Sequence, residues 1–288
     1  MAGHIKRARA SRDEMEARYD ALYEIAAETQ PTGLRFIYYT ATTRGIVEKT
    51  DSGYNKVQRA ILDMRRADRI PWHWIVDTNR WMRKPTTWSS LDEMLANAAA
   101  SYRRDLWAAS SVLVEVWCES ESVAGVINDV THDWDVPLYP IKGQTSDSFA
   151  WGAAQNFKDD LRRVVIYYVG DHDPHGYEIE TNLNAKLREH SGRDDITFIR
   201  LGCTQEQVDA LDLPGGPPKK STYVDKMTGD KVQWNGLSVE VEALDPRYLR
   251  ELVESAICEH LDPERLAMLR HAEESEREIL TRMRPWAA

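Results

Sequence analysis

The chain has 288 residues, 42% of them hydrophobic and 29% charged, ordinary proportions for one or two folded domains. No apolar run approaches the roughly 20 residues of a membrane span, and the N-terminal stretch lacks the apolar segment of a secretory leader. A net charge of −10 argues against a nucleic-acid partner only if it is spread evenly, and it is not: residues 33–110 carry 13 basic against 8 acidic side chains, residues 111–288 carry 19 against 33.

A basic block beside an acidic one suits a DNA-gripping module joined to a metal-binding module, although surface charge also varies without function. Cys118, Cys203 and Cys258 are widely spaced, with no CxxC pair. Neither a zinc site nor a disulfide framework is expected, and a reducing cytoplasm, with the nucleoid as the working location, is the expected setting.

In chain order, residues 11–29 predict a helix with Met15, Tyr19, Leu22, Tyr23, Ile25 and Ala26 on its apolar stripe. Residues 34–47 predict a short helix ending near Gly45. Residues 49–70 predict a second helix, capped by Asp51 or Ser52, with Val57, Ile61, Leu62 and Met64 on one side. Lys56, Arg59, Arg65, Arg66 and Arg69 lie around the rest. The extended segment 71–81 reads as a strand or wing. Two short helices, the second basic, then a wing describe a winged helix-turn-helix, whose second helix enters the major groove while Arg and Lys contact phosphates. A helical hairpin packed on another element is the alternative.

A bridging helix is predicted over residues 90–109, and then the pattern changes. Near-continuous apolar runs at 112–119, 136–143, 164–171 and 196–202 alternate with helical segments at 120–134, 146–163 and 174–190. This is the signature of an α/β fold, a Rossmann-like parallel sheet covered on both faces. Residues 206–236 read as an irregular loop rich in Pro, Gly and Lys, and residues 239–280 as a short strand and two helices. The expected division is an N-terminal helix over 1–32, a winged-helix DNA-binding unit with its linker helix over 33–110, and the sheet domain with a helical extension over 111–288.

Ligands of open parallel sheets collect at the carboxyl ends of the strands. Two predicted strands end in acids there, one in Glu119 and the other in Asp171-His172-Asp173. Carboxylates crowded at a strand end repel one another unless a cation sits between them. Hard oxygen donors of this kind suit Mg²⁺ or Mn²⁺. Asp171 and Asp173 serve equally well, on sequence alone, as caps of the helix that begins at Pro174.

A strand ending in Glu followed by a helix, then a strand ending in Asp-x-Asp, resembles the Toprim domain of topoisomerases, primases and some nucleases. The segment GDHDPHGYEI is similar to the version in the A subunit of topoisomerase VI, a type IIB DNA topoisomerase, and its meiotic double-strand-break relative. VWCESESVAGV and VEVEALDPRYLRELV resemble other segments of that family. So does Arg35-Phe36-Ile37-Tyr38-Tyr39, whose second tyrosine corresponds to the family nucleophile. The resemblance spans roughly residues 30–260. The segment after Tyr39 departs from the family and is closer to uncharacterised bacterial and phage Toprim proteins that also carry Tyr-Tyr. This sequence contains no ATPase domain, so strand passage would require a separate ATPase subunit.

The resemblance implies double-stranded DNA as substrate, a homodimer in which the tyrosine of one subunit meets the metal of the other, and a 5′-phosphotyrosyl product. It assigns the metal to Glu119, Asp171 and Asp173 and the attack to Tyr39. Arg35, one helical turn before Tyr39, is placed to stabilise a phenolate or the attacked phosphate. Lys142, at a turn shaped by Gly143 and Ser146, is a candidate phosphate contact beside Lys56, Arg59, Arg65 and Arg66, or an ordinary solvated lysine. Glu121 is a further acid or a first-turn helix acid. His172 and His175 are expected as exposed loop side chains. Tyr38 and Tyr39 are alternatively core aromatics. Two readings remain beside transesterification: a hydrolytic Toprim nuclease with a structural Tyr39, and a non-catalytic DNA-binding protein.

Overall fold

The structure, a computed structural model, describes residues 11–75 and 85–283. Helix α1 (Arg12–Thr29) begins at a capping box in which Ser11 and Glu14 satisfy each other's backbone N–H groups. Helix α2 (Leu34–Thr43) stops just before Gly45, whose φ of 68° is left-handed. Helix α3 (Asp51–Arg66) is capped by Thr50, one residue before the predicted caps, because the Thr50 hydroxyl accepts from Gly53 N. The three helices share one apolar cluster built on Leu22, Ile25, Ile37, Val57, Ile61 and Met64. Burying each such aliphatic side chain contributes roughly 1.5–3 kcal/mol. The stripe predicted for α1 is narrower than expected: Met15 and Tyr23 are exposed, as is Leu62 of α3.

The wing expected after Pro71 falls largely on residues 76–84, outside the described residues. Before them lie a single 3-10 turn, Trp72–Trp74, and a bridge from Ile75 to Thr32. Helix α4 (Leu91–Ser101) is shorter than predicted, and the chain after it runs extended. There the Tyr102 hydroxyl and Arg104 guanidinium both bind Glu276.

An α/β arrangement follows. Strands β1 (Val112–Cys118), β2 (Leu138–Pro140), β3 (Arg163–Val169) and β4 (Thr197–Gly202) form a parallel sheet in the order β2-β1-β3-β4. Helices α5 (Glu121–Asp133), α6 (Asp147–Gln155) and α7 (Pro174–Ser191) connect them. Alternation along the strands divides their side chains. Val114, Val116, Val165 and Tyr167 join α5 and a later helix, α9 (Pro246–Cys258), in one core. Trp117, Ile166 and Tyr168 join α6 and α7 in the other. Both faces are therefore covered, which is why the strands read as unbroken apolar runs.

Residues 206–236 are not a plain irregular loop. They include most of helix α8 (Gln205–Ala210) and an antiparallel hairpin of β5 (Thr222–Val224) and β6 (Lys231–Gln233). The short strand predicted at residue 239 is instead an isolated antiparallel bridge between Val239 and His172, followed by a 3-10 turn, Val241–Ala243. Helices α9 (Pro246–Cys258) and α10 (Pro263–Met283) close the described chain, with α10 alongside α4.

Contacts from Phe36 and Arg250 are among those that hold the helical unit to the sheet. Phe36 of α2 is fully buried in the sheet's core, whereas its neighbours Ile37 to Tyr39 point into the helical cluster. Arg250 of α9 donates to the carbonyls of Thr29 and Val126, joining α9 to the end of α1 and the middle of α5. No helix among the described residues is long and apolar enough to cross a membrane.

Candidate functional site

β1 and β3 are neighbours in register, Cys118 opposite Val169, so the residues that follow them emerge side by side. Glu119 N donates to Val169 O at 2.9 Å, and Asp171 N donates to Glu119 Oε2 at 3.0 Å. Asp171 Oδ1 accepts from Val241 N at 2.9 Å. The 3-10 turn of residues 241–243 is thereby drawn against the sheet edge, bringing a third carboxylate, Glu242, into the group. Glu242 is 2% exposed, and its Oε1 accepts from Ser122 Oγ at 2.5 Å and Ser120 Oγ at 3.2 Å.

Asp171 and Glu119 resist ionisation. Burial, followed by repulsion from Glu119 and Glu242, holds Asp171 well above the usual carboxylate range. Burial also raises Glu119, with Asp173 adding to the effect and the N–H of Asp171 opposing it. Glu240, two residues from Glu242, is pushed up to about 7 by burial and by Glu242.

Asp173 does the work of the alternative reading. Its Oδ1 accepts from Gly176 N at 2.7 Å and caps α7, with Pro174 in the first turn. A Cβ on Gly176 would lie 2.2 Å from the Asp171 carbonyl oxygen, so this glycine is what allows helix and acidic turn to approach. Among the described residues, no three His, Cys, Asp or Glu side chains are grouped as a ready-made metal cage. The donor set nevertheless fits Mg²⁺ or Mn²⁺. Such ions bind through one or two carboxylates and complete their shell with water and substrate phosphate.

Behind the acids lies Arg200 of β4, its side chain 8% exposed. It donates to the carbonyls of Gly170, Asp171 and Cys203, pairs with Glu180 at 2.5 Å, and stacks 4.0 Å from the ring of Tyr177. One guanidinium thus fixes the backbone that carries Asp171. His172, expected to be exposed, is buried. Its backbone pairs with Val239 and its ring packs 4.7 Å from Trp234, and burial lowers its pKa, keeping it neutral. His175 is exposed as expected.

The acids form one wall of a cleft of about 910 Å³. Glu119, Asp171 and Glu242 face Tyr54, Gln58, Leu62 and Arg65 of α3, with Arg35 and Lys142 also on the lining. Arg35 Nε lies 3.7 Å from Glu242 Oε1. Lys142, at φ 53°, places Nζ 2.8 Å from Glu121 Oε1.

Tyr39 is 9% exposed and absent from the cleft lining. Its ring lies 5.7 Å from the Arg35 guanidinium and 5.6 Å from Lys49 Nζ. Burial lowers the pKa of Lys49, while Asp171 and Glu242, close by, favour its charged form. The tyrosine is therefore linked to the acids through two cations. Tyr38 donates its hydroxyl to Thr50 O at 3.2 Å, a structural role.

The predicted DNA contacts on α3 divide. Lys56 pairs with Glu48 at 2.9 Å. Arg65 donates to the carbonyls of Trp72 and Ile75 and covers the Trp72 ring at 4.2 Å, so it holds the segment after α3 in place. Arg59 and Arg66 are exposed. Sequence reasoning missed Glu242 and Lys49. The acid pair Glu240/Glu242, at the same spacing as Asp171/Asp173, was a usable signal for the first; nothing local marks the second.

These features define an α/β protein with a four-stranded parallel sheet and an acidic cleft at the carboxyl ends of its strands. No known family model matches this chain, and no curated protein matches it.

Proposed function

We propose that the chain is a Toprim-type, Mg²⁺- or Mn²⁺-dependent DNA-cleaving protein, with α1–α3 as its winged-helix DNA-binding unit. The observation that carries this reading is the cleft, in which carboxylates crowded at two adjacent strand ends face α3, a helix that also bears, off the cleft lining, the unpaired Arg59 and Arg66. Duplex DNA lying on α3 would bring a backbone phosphate to Glu119 and Asp171. A cation held there would supply positive charge against the attacked phosphate and the departing 3′ oxygen.

The nucleophile in this reading is Tyr39. Its oxygen forms a bond to phosphorus, the bond from phosphorus to the 3′ oxygen breaks, and the phenolic proton ends on that oxygen. The products are a 5′-phosphotyrosyl link and a free 3′ hydroxyl. Arg35 and Lys49, beside the ring, favour the phenolate and the phosphate's charge. Two such chains in a homodimer would cut both strands, and a separate ATPase subunit would be required for strand passage.

The burial of Tyr39 favours a second reading, hydrolysis, with water as nucleophile and the tyrosine structural. Supercoiled plasmid incubated with the chain and Mg²⁺ or Mn²⁺, then denatured and assayed for protein on DNA ends, separates the two. Covalently attached protein supports transesterification; free 5′ phosphates support hydrolysis. Intact plasmid with either metal removes both.

A further inference from the structure

We infer that α3 reads base edges in the major groove of duplex DNA through Asn55, Gln58 and Arg59, so that the chain chooses its site by sequence. The inference rests on the DNA-binding part of the proposed function and is independent of the carboxylates.

Helical periodicity divides α3 cleanly. Gly53, Val57, Ala60, Ile61 and Met64 are buried against α1 and α2. Asn55, Gln58, Arg59, Leu62 and Arg66 are exposed and fall along one side of the helix. Among the described residues, none of the four polar members has a hydrogen-bond or ion-pair partner. Acids to pair with are plentiful in a chain of charge −10. The neighbouring cations have found them: Arg44 binds Glu28, Lys56 binds Glu48, and Arg69 binds Glu16 and Asp20. The side of α3 that bears Arg59 and Arg66 has kept its donors free.

The residue types match a known chemical code. Asn and Gln amides fit the paired donor and acceptor of adenine in the major groove, the Arg fork fits the two acceptors of guanine, and an aliphatic side chain such as Leu62 fits the thymine methyl. Asn55, Gln58 and Arg59 lie within the first nine of the sixteen residues of α3, toward the end that a recognition helix turns to the bases. Arg66, near the other end, is placed for phosphate. Gln58 and Leu62 also line the cleft opposite Glu119 and Asp171, so a duplex read by α3 passes the acids with its backbone.

The test is selection of the full chain on a pool of random duplexes at about 0.15 M salt without divalent metal, followed by sequencing of the bound fraction. A short motif containing adenine and guanine is expected to be enriched. Asn55→Ala, Gln58→Ala and Arg59→Ala should each flatten the preference at one position and weaken binding to the enriched duplex roughly 5- to 150-fold. Arg66→Ala should weaken enriched and scrambled duplexes alike. Thermal melting verifies that each variant is folded. An unenriched pool, or equal losses on every sequence for the three variants, overturns the inference. Equal binding to duplex RNA of the enriched sequence also overturns it, because the A-form major groove is too narrow to admit a helix. Plasmid cleavage is measured separately. Cleavage without sequence preference removes this inference alone; preference without cleavage removes only the catalytic reading.

Discussion

The backbone N–H of Asp171 donates to Glu119 Oε2 at 3.0 Å, tying the turn after β3 to the residue that follows β1. Two carboxylates that repel through space are thus held together by the main chain of one of them. The arrangement costs stability and is relieved by protons or by a cation.

Both carboxyls have folded pKa values raised above those of the unfolded chain, so they contribute stability at low pH that is lost as pH rises through the raised values. Metal-free protein is therefore expected to melt lower at about pH 8 than at about pH 5. Asp171→Asn, which keeps an acceptor for Val241 N, should raise the metal-free melting temperature at neutral pH by about 2–4 °C for each kcal/mol relieved. Millimolar Mn²⁺ should stabilise the parent and leave the variant unmoved. A parent that shows no metal-dependent shift in melting would count against the cation.

Tyr39→Phe keeps the ring between Arg35 and Lys49 and removes only the hydroxyl. Its melting temperature should stay close to that of the parent, while protein–DNA covalent product on denaturing gels disappears. Cleavage that persists at the parental rate with free 5′ phosphates would assign the attack to water.

Glu115 lies in the sheet core, 1% exposed, accepting from Trp117 Nε1 at 2.9 Å, and burial pushes its pKa up from 4.5 to about 7. The carboxyl is raised, so stability is full below about 4.5 and declines as pH climbs through about 7. The loss is on the order of 3 kcal/mol. Glu115→Gln preserves the acceptor for Trp117 and should remove this part of the pH dependence in urea titrations. Identical pH slopes for parent and variant would refute the assignment.

Gly176→Ala would place a methyl 2.2 Å from the Asp171 carbonyl oxygen, a contact that only backbone movement can relieve. The expected cost is about 1–3 kcal/mol of stability, together with loss of plasmid cleavage, because the acidic turn and the α7 cap cannot both hold position. Unchanged stability and cleavage would show that the close approach is dispensable.

Arg200→Met removes a buried cation from three carbonyls and from Glu180. Breaking a buried pair from one side costs about 3–5 kcal/mol. Chemical denaturation should detect that loss, and a midpoint shift equivalent to less than about 1 kcal/mol would contradict the role of Arg200 in fixing the Asp171 backbone.

The sequence by itself determined what is periodic or local. Unbroken apolar runs in the strands identified a sheet buried on both faces. The order of strands and helices implied that it is parallel, and the position of Glu119 and Asp171 after two of those runs located the acidic edge. Asp173 before Pro174 could equally have been cap or ligand, because both roles want a carboxylate there, and only the 2.7 Å bond to Gly176 N shows it capping α7. Glu242, Lys49 and Arg200 reach the site from segments far away in the chain. Their roles depend on a bond from Val241 to Asp171, a loop folded over Tyr39, and a side chain crossing beneath β3. The burial of His172 was hidden likewise, since a bridge to Val239 decides it. Patterning along a chain reports which face of an element meets a core. It carries no information about which distant residue meets a given carboxylate, because that pairing is set by the closing of the tertiary fold.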